Sequence, residues 1–347
     1  MKMIPLGRTG LTVSEFCLGT MTWGNQTPED EAHAQIDRAL AAGINFLDAA
    51  EMYPTNPVRA ETVGRTEEII GTWLARTGRR NDIVLATKLT GPGQKAVRDG
   101  GPVNGKVMIA AAEASLKRLQ TEVIDLYQLH WPSRGSYHFR QCWTFDPSRQ
   151  DRAAVLADME DMLEAAQTLV KQGKIRHFAL SNESAWGTAQ WLRLAEDKGL
   201  PRVATVQNEY SLLCRLADTD MAELCHNENV PMLAFSPLGA GLLTGKYAGD
   251  VTPEGSRRSA TPDLGGRISP RVWAAVAAYL GIAARHGLHS VTMALAWTRT
   301  RPFPLIPIIG ATRLEHLDPA LAAADVTLPA EVLAEIEAAH RAHPMPF

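Results

Sequence analysis

Short apolar runs alternate with longer amphipathic stretches along the whole chain. Eight of the runs predict strands: Glu15–Gly19, Ile44–Asp48, Ile83–Leu89, Val123–His130, Ile175–Ser181, Val203–Gln207, Pro231–Ser236 and Pro304–Gly310. They are rich in Val, Ile, Leu and Phe and run continuously apolar, as parallel strands covered on both faces do. Between them the apolar positions recur every three to four residues. Thr27 predicts a cap for the first helix, with Pro28 at its first position, Glu29 and Asp30 complementing the dipole, and Gly43 closing it. From Val155 to Gln172 the residues Leu156, Met159, Leu163, Ala166 and Val170 share one face, and Gly173 ends the pattern.

Strand and helix alternate with no break in composition, which predicts a single α/β domain over residues 1–347, a (β/α)8 TIM barrel. The competing architecture, a doubly wound sheet, normally carries a Gly-rich phosphate turn after its first strand; here that turn reads LGTMTWGNQ. The stretch MIPLGRTGLTVSEF predicts an N-terminal β-hairpin ahead of the barrel. Two connections are long, Trp131 to about Asp151 and Leu238 to about Ser269. The first holds Tyr137, Phe139, Trp143 and several Arg, which predicts a substrate wall at the C-terminal face; the second is rich in Gly and Ser.

Charge and composition narrow the function classes. The net charge of -3 leaves no concentrated basic surface for a nucleic-acid partner. Arg79-Arg80 and Arg257-Arg258 read as solvated loop residues. The longest nearly apolar run, Val272–Ala284, is too short to cross a bilayer and is bracketed by Arg271 and Arg285. The N-terminus lacks the apolar core of a signal peptide, and Cys17, Cys142, Cys214 and Cys225 have no zinc-ligand spacing. Together these predict a cytoplasmic protein with reduced thiols, no membrane segment and no metal. GGPVNGKV (Gly100–Val107) approaches a phosphate loop but has Val107 where the metal-binding Ser or Thr belongs.

Barrel enzymes assemble their sites from the C-terminal ends of several strands. Those ends carry Asp48, Lys88, His130, Ser181-Asn182 and Gln207, and Tyr53 follows Asp48 in the next loop. Singly, each has an ordinary explanation: a turn former, a snorkelling charge, a core histidine. At consecutive strand ends they converge on one cavity. The chemistry that uses such a set is proton delivery to a carbonyl oxygen. A phenol with a pKa of about 10 is a reluctant acid; a neighbouring Lys88 ammonium lowers that value, Asp48 holds the ammonium charged, and His130 orients the substrate oxygen.

With these residues in place the chain resembles the aldo-keto reductases, in particular their bacterial Tas-type group, related to potassium-channel β-subunits. The likeness runs from LGRTGLTVSEFCLGTMTWG to VLAEIEAAH. It implies a catalytic tetrad of Asp48, Tyr53, Lys88 and His130. It implies a nicotinamide site of Ser181, Asn182, Gln207 and Phe235, and a pyrophosphate belt in SPLGAGLLTGKY through Ser236, Leu238, Gly241 and Lys246. IIGATRLEHLDPALAA, with Gly310, Thr312 and Arg313, would grip the adenosine phosphate, with Thr312 and Arg313 opening the final barrel helix; that favours NADPH over NADH. Relatives commonly place an Asn late in this stretch, where this chain has Pro319-Ala320. The implied activity is reversible, NADPH-dependent reduction of a small-molecule aldehyde or ketone; the alternative is an NADPH-binding regulatory subunit. Trp23, Met52 and Trp131 would make an apolar pocket suited to aromatic aldehydes or bulky ketones, with Arg134 and Arg140 as candidates to admit an anionic group.

Overall fold

The computed structural model describes residues 1–347. Strands β1 (Met3–Pro5) and β2 (Thr12–Ser14) form the expected antiparallel hairpin. Eight parallel strands follow: β3 (Cys17–Gly19), β4 (Phe46–Asp48), β5 (Val84–Leu89), β6 (Ile124–Leu129), β7 (Ile175–Ser181), β8 (Val203–Glu209), β9 (Met232–Phe235) and β10 (Leu305–Ile309). They close into one barrel because β10 pairs with both β9 and β3. Helices α1 (Glu29–Ala41), α2 (Arg65–Thr77), α3 (Gly105–Leu119), α4 (Arg152–Lys171), α5 (Ala185–Lys198) and α6 (Asp220–Glu228) each follow one of the strands β3 to β8. After β9 the return helix is Ser290–Thr298, preceded by Val272–Arg285.

Side chains alternate across each strand, so the barrel has two apolar layers. Phe46, Val84, Ala86, Leu126, Leu233 and Ile306 point inward, and Leu6 and Val13 of the hairpin close the N-terminal end beneath them. The larger layer lies between strands and helices and includes Phe16, Leu47, Trp73, Tyr127 and Phe178. Each fully buried large side chain of this kind contributes about 1.5–3 kcal/mol.

Two helix ends differ from expectation. The Thr27 hydroxyl meets Thr22 Oγ1 at 3.0 Å and donates to the Thr312 carbonyl at 3.1 Å, so it ties the β3 and β10 loops together. Helix α1 therefore starts from Pro28 without a side-chain cap. The last barrel helix is broken into the short turns Leu314–His316, Asp318–Leu321 and Ala322–Asp325. Pro319 lies in the first turn of the middle piece and cannot extend a helix begun earlier. Thr312 and Arg313 thus precede a single 3₁₀ turn. By contrast α4 has a clear start, where Asp151 accepts from the Ala153 and Ala154 amides at 2.9 and 3.3 Å.

Arg80 and Arg258, read from sequence as solvated, are partly or largely buried. Arg80 binds Asp125 at 2.7 Å, and Arg258 donates to the Val251 and Pro262 carbonyls at 2.9 and 3.2 Å. No helix is long and apolar enough to cross a membrane. All four cysteines are free, and no cluster of His, Cys, Asp or Glu could hold a metal ion.

Candidate active site

The inward stripes of β4, β5 and β6 turn polar near their C-terminal ends. On β4, Phe46 is followed by Asp48; on β5, Val84 and Ala86 by Lys88; on β6, Leu126 by Gln128 and then His130. Backbone pairing continues past β4, with Ala49 and Glu51 amides donating to the Ala86 and Lys88 carbonyls at 2.8 and 3.1 Å. The chain then folds back, Tyr53 N donating to the Ala50 carbonyl at 3.0 Å, which returns the phenol over the barrel mouth.

The wholly buried Lys88 lies at the centre. Its Nζ donates to Asp48 Oδ2 at 2.7 Å, to the Ala49 carbonyl at 2.8 Å and to Tyr53 Oη at 3.3 Å. Three donors' worth of ammonium are thereby accounted for. The second carboxylate oxygen, Asp48 Oδ1, accepts from Gln128 Nε2 at 3.0 Å and Gln207 Nε2 at 2.8 Å. The His130 ring stands edge-on to Tyr53 with centroids 5.8 Å apart, and its Nδ1 has no protein partner.

The electrostatics follow from burial and pairing. Burial disfavours the charged form of Lys88, but Asp48 and Tyr53 outweigh it and its pKa is raised. His130 is held well below its usual range, first by burial and then by the Lys88 charge, so its imidazole is neutral. For Tyr53 the balance differs from the sequence expectation. Lys88 does pull the phenol down, but burial is larger and Asp48 adds to it, so the pKa is raised. Tyr53 therefore holds its proton, beside a fixed cation able to stabilise the phenolate left when that proton moves.

Other predicted residues fall into three groups. Ser181, Asn182 and Gln207 converge on the same mouth. Ser181 Oγ donates to the Gln207 carbonyl at 2.8 Å, and Asn182 Nδ2 to the His130 carbonyl at 2.9 Å; Asn182 Oδ1 is buried without a partner. Phe235 and Ser236 end β9 beside them, and Ser236 adopts φ +52. Leu238 and Gly241 lie in or next to the turn Gly239–Thr244, where Gly241 takes φ +96, a conformation that suits glycine alone. Lys246 is exposed, with Nζ 5.1 Å from the Tyr247 ring. Gly310 packs towards Gly19, Thr312 Oγ1 meets His316 Nδ1 at 3.3 Å, and the Arg313 side chain is largely in solvent, 3.8 Å from Glu315.

Among the pocket candidates, Met52 and Trp131 group with Tyr53, Met21 and Val97. The Trp131 indole donates to the Pro92 carbonyl at 3.0 Å and crosses above Gly91, where a Cβ would lie 2.3 Å from its nitrogen. Trp23 does not join them. It is fully buried in the main core, its Nε1 donating to Gln35 at 3.2 Å, so it supports α1 and does not line the mouth. Arg134 and Arg140 are not free to receive an anion, because each binds a buried carboxylate, Glu183 at 2.9 Å and Glu209 at 2.7 Å.

Two residues escape the sequence reading and a third is misread by it. Gln128 was legible, since it stands two residues before His130 on the same inward stripe. Glu209, two residues beyond Gln207, was legible in the same way. Arg257 is read from sequence as a solvated loop residue, and the structure corrects this. It lies in the second long loop, half-buried, its Nε has no partner, and burial with the nearby Arg267 pulls its pKa down to about 10. An unpaired guanidinium of this kind suits an anion.

Comparison with known proteins agrees with this architecture. The family model described as Aldo/keto reductase family matches residues 15–341. Protein tas of Escherichia coli K12 is 42% identical over 344 residues, covering 97% of each chain. An uncharacterized oxidoreductase of Bacillus subtilis, YrpG, is 32% identical over 96% of this chain and 94% of its own. Norsolorinic acid reductase stcV of Emericella nidulans is 28% identical over 94% of this chain and 78% of its own. Aldo-keto reductases are oxidoreductases that act on small carbonyl compounds with a nicotinamide dinucleotide. With its closed barrel, its N-terminal hairpin and a match along nearly its whole length, this chain belongs to the aldo/keto reductase family.

Proposed function

We propose that residues 1–347 act as a single NADPH-dependent carbonyl reductase in which Tyr53 donates the proton. The observation that carries this reading is the buried line Asp48–Lys88–Tyr53. A retained phenolic proton next to a fixed ammonium is an acid whose conjugate base is already stabilised, which is what reduction of a carbonyl oxygen requires. A neutral His130 has one N–H to offer the same oxygen. When bound, the dinucleotide supplies the hydride.

The donor and acceptor set fits that cofactor. Asn182 Oδ1 is an orphaned buried acceptor, and Gln207, its amide nitrogen committed to Asp48, has its own Oε1 free of protein donors; both suit the N–H groups of a carboxamide. The unpaired Arg257 and the left-handed turn around Gly241 suit a pyrophosphate. The exposed Arg313 guanidinium, with the Thr312 hydroxyl beside it, supports recognition of a 2′-phosphate and hence NADPH. Met52, Trp131 and the aromatic loop beyond it support aromatic aldehydes and bulky ketones as substrates. The test is NADPH consumption with a panel of aromatic aldehydes, quinones and fused-ring ketones, with NADH as control. Turnover that prefers NADPH is expected; tight NADPH binding with no turnover on any carbonyl would favour a regulatory role.

A further inference from the structure

The two long loops arrive from different strands, yet both end on one carboxylate. Glu209, buried at the end of β8, accepts from Arg140 Nη1 of the first loop at 2.7 Å through Oε2. Its Oε1 accepts from Arg267 Nε of the second loop, also at 2.7 Å. Arg267 reaches further, to the Leu264 carbonyl at 2.7 Å and Ser236 Oγ at 3.4 Å. The loops also touch: a Cβ on Gly266 would lie 3.6 Å from Arg140 Nε.

On the substrate side, the pin fixes a strained segment. Phe139 and Arg140 both take positive φ, +56 and +63, a conformation costly for side-chain-bearing residues and maintained only where the surroundings fix it. Phe139 in turn packs edge-on against Trp131 at 5.9 Å, and Trp131 lies 5.1 Å from His130. On the cofactor side, Arg267 holds Ser236, the first belt residue, also at positive φ. Each arginine has its charge paired with the one buried carboxylate.

We propose that Glu209 is a positioning residue that couples the two loops, so that ordering the cofactor belt also fixes the aromatic wall of the substrate pocket. Glu209 touches neither reacting group and acts through Arg140 and Arg267. The two arginines keep its carboxyl below the usual range against the opposing effect of burial, so the pin stays charged at neutral pH. The naming of the loops as belt and wall rests on the reductase reading, but their coupling is measurable without it.

The test uses the full chain and the variants Arg140→Met, Arg267→Met and Glu209→Gln. Amide hydrogen exchange of each is followed across residues 137–145 and 255–267. Coupling predicts crossed effects: Arg140→Met speeds exchange in 255–267 as well as in its own loop, Arg267→Met does the reverse, and Glu209→Gln loosens both. Dissociation constants for NADP+ and KM for an aromatic aldehyde supply the functional readout. Arg140→Met, though it sits on the substrate loop, is expected to weaken NADP+ binding about fivefold, the lower end of typical coupling. Exchange that rises only in the mutated loop, with NADP+ affinity unchanged in Arg140→Met, would overturn the proposal. Crossed exchange in a protein that binds no NADP+ would uphold the coupling and refute the reductase reading instead.

Discussion

The two ends of the barrel are built from the same inward stripes and differ in one respect. At the N-terminal end the stripe is Phe46, Val84, Leu126 and Ile306, sealed by Leu6 and Val13, with no polar side chain among them. At the C-terminal end the inward positions of β4, β5, β6 and β8 are Asp48, Lys88, Gln128 and Gln207, each almost fully buried and each hydrogen-bonded to another of the set. The lower end gains stability from burial alone. The upper end buries a charge pair that burial by itself would disfavour, and it persists because nearly every donor is matched. On β4 and β6 the apolar seal gives way directly to a polar side chain, Phe46 to Asp48 and Leu126 to Gln128, and on β5 it does so after Ala86, so the two ends can be mutated separately.

The largest effect should come from splitting the charge pair. Lys88→Met leaves Asp48 without its cation, and the loss is expected to be about 3–5 kcal/mol in urea unfolding, together with a fall in kcat of about 10²–10⁴. Phe46→Ala, at the same height as the seal, should cost a comparable ~3–5 kcal/mol while kcat of the folded protein stays near wild type. If Phe46→Ala lowered kcat as strongly as stability, the two ends would not be separable. Gly91→Ala is a finer probe, because the new methyl group must displace the Trp131 indole. KM for an aromatic carbonyl should rise on the order of tenfold, about 1.4 kcal/mol, with the melting temperature little changed.

The smallest effect concerns pH. His130 has a folded pKa depressed below its unfolded value of about 6.5. In the window between the two values the unfolded chain binds more protons, so this contribution is intact above about pH 6.5 and declines as pH falls below it. Urea midpoints at pH 7.5 and 5.5 should therefore diverge, and the divergence should shrink in His130→Gln. A neutral His130 also predicts no inflection near pH 6.5 in kcat arising from this residue.

What was readable in the sequence follows the same division. The barrel strands were legible because continuous apolar runs between amphipathic helices permit few architectures. The convergence of Asp48, Lys88 and His130 was legible because strand ends in a barrel face one cavity. Gln128 was passed over as part of an apolar run, although period-two counting back from His130 reaches it. The Tyr53 pKa was misjudged because a sequence shows which charges are neighbours but not how deeply a phenol is buried. The sequence leaves Arg134 and Arg140 without partners because Glu183 and Glu209 lie on strands β7 and β8 or just beyond them, more than forty residues away. Trp23 reads from sequence as a pocket residue, whereas its indole turns to Gln35 on α1.

The most direct measurement compares wild type and Tyr53→Phe for NADPH-dependent reduction of one aromatic aldehyde, with the dissociation constant for NADP+ measured on both. Removing one hydroxyl leaves the ring, the Lys88–Asp48 pair and the residues proposed to hold the cofactor in place. Turnover should fall by about 10²–10⁴ while NADP+ affinity remains that of wild type. Turnover that survives in Tyr53→Phe would mean that the proton comes from another group, and would contradict the role assigned to the Asp48–Lys88–Tyr53 line.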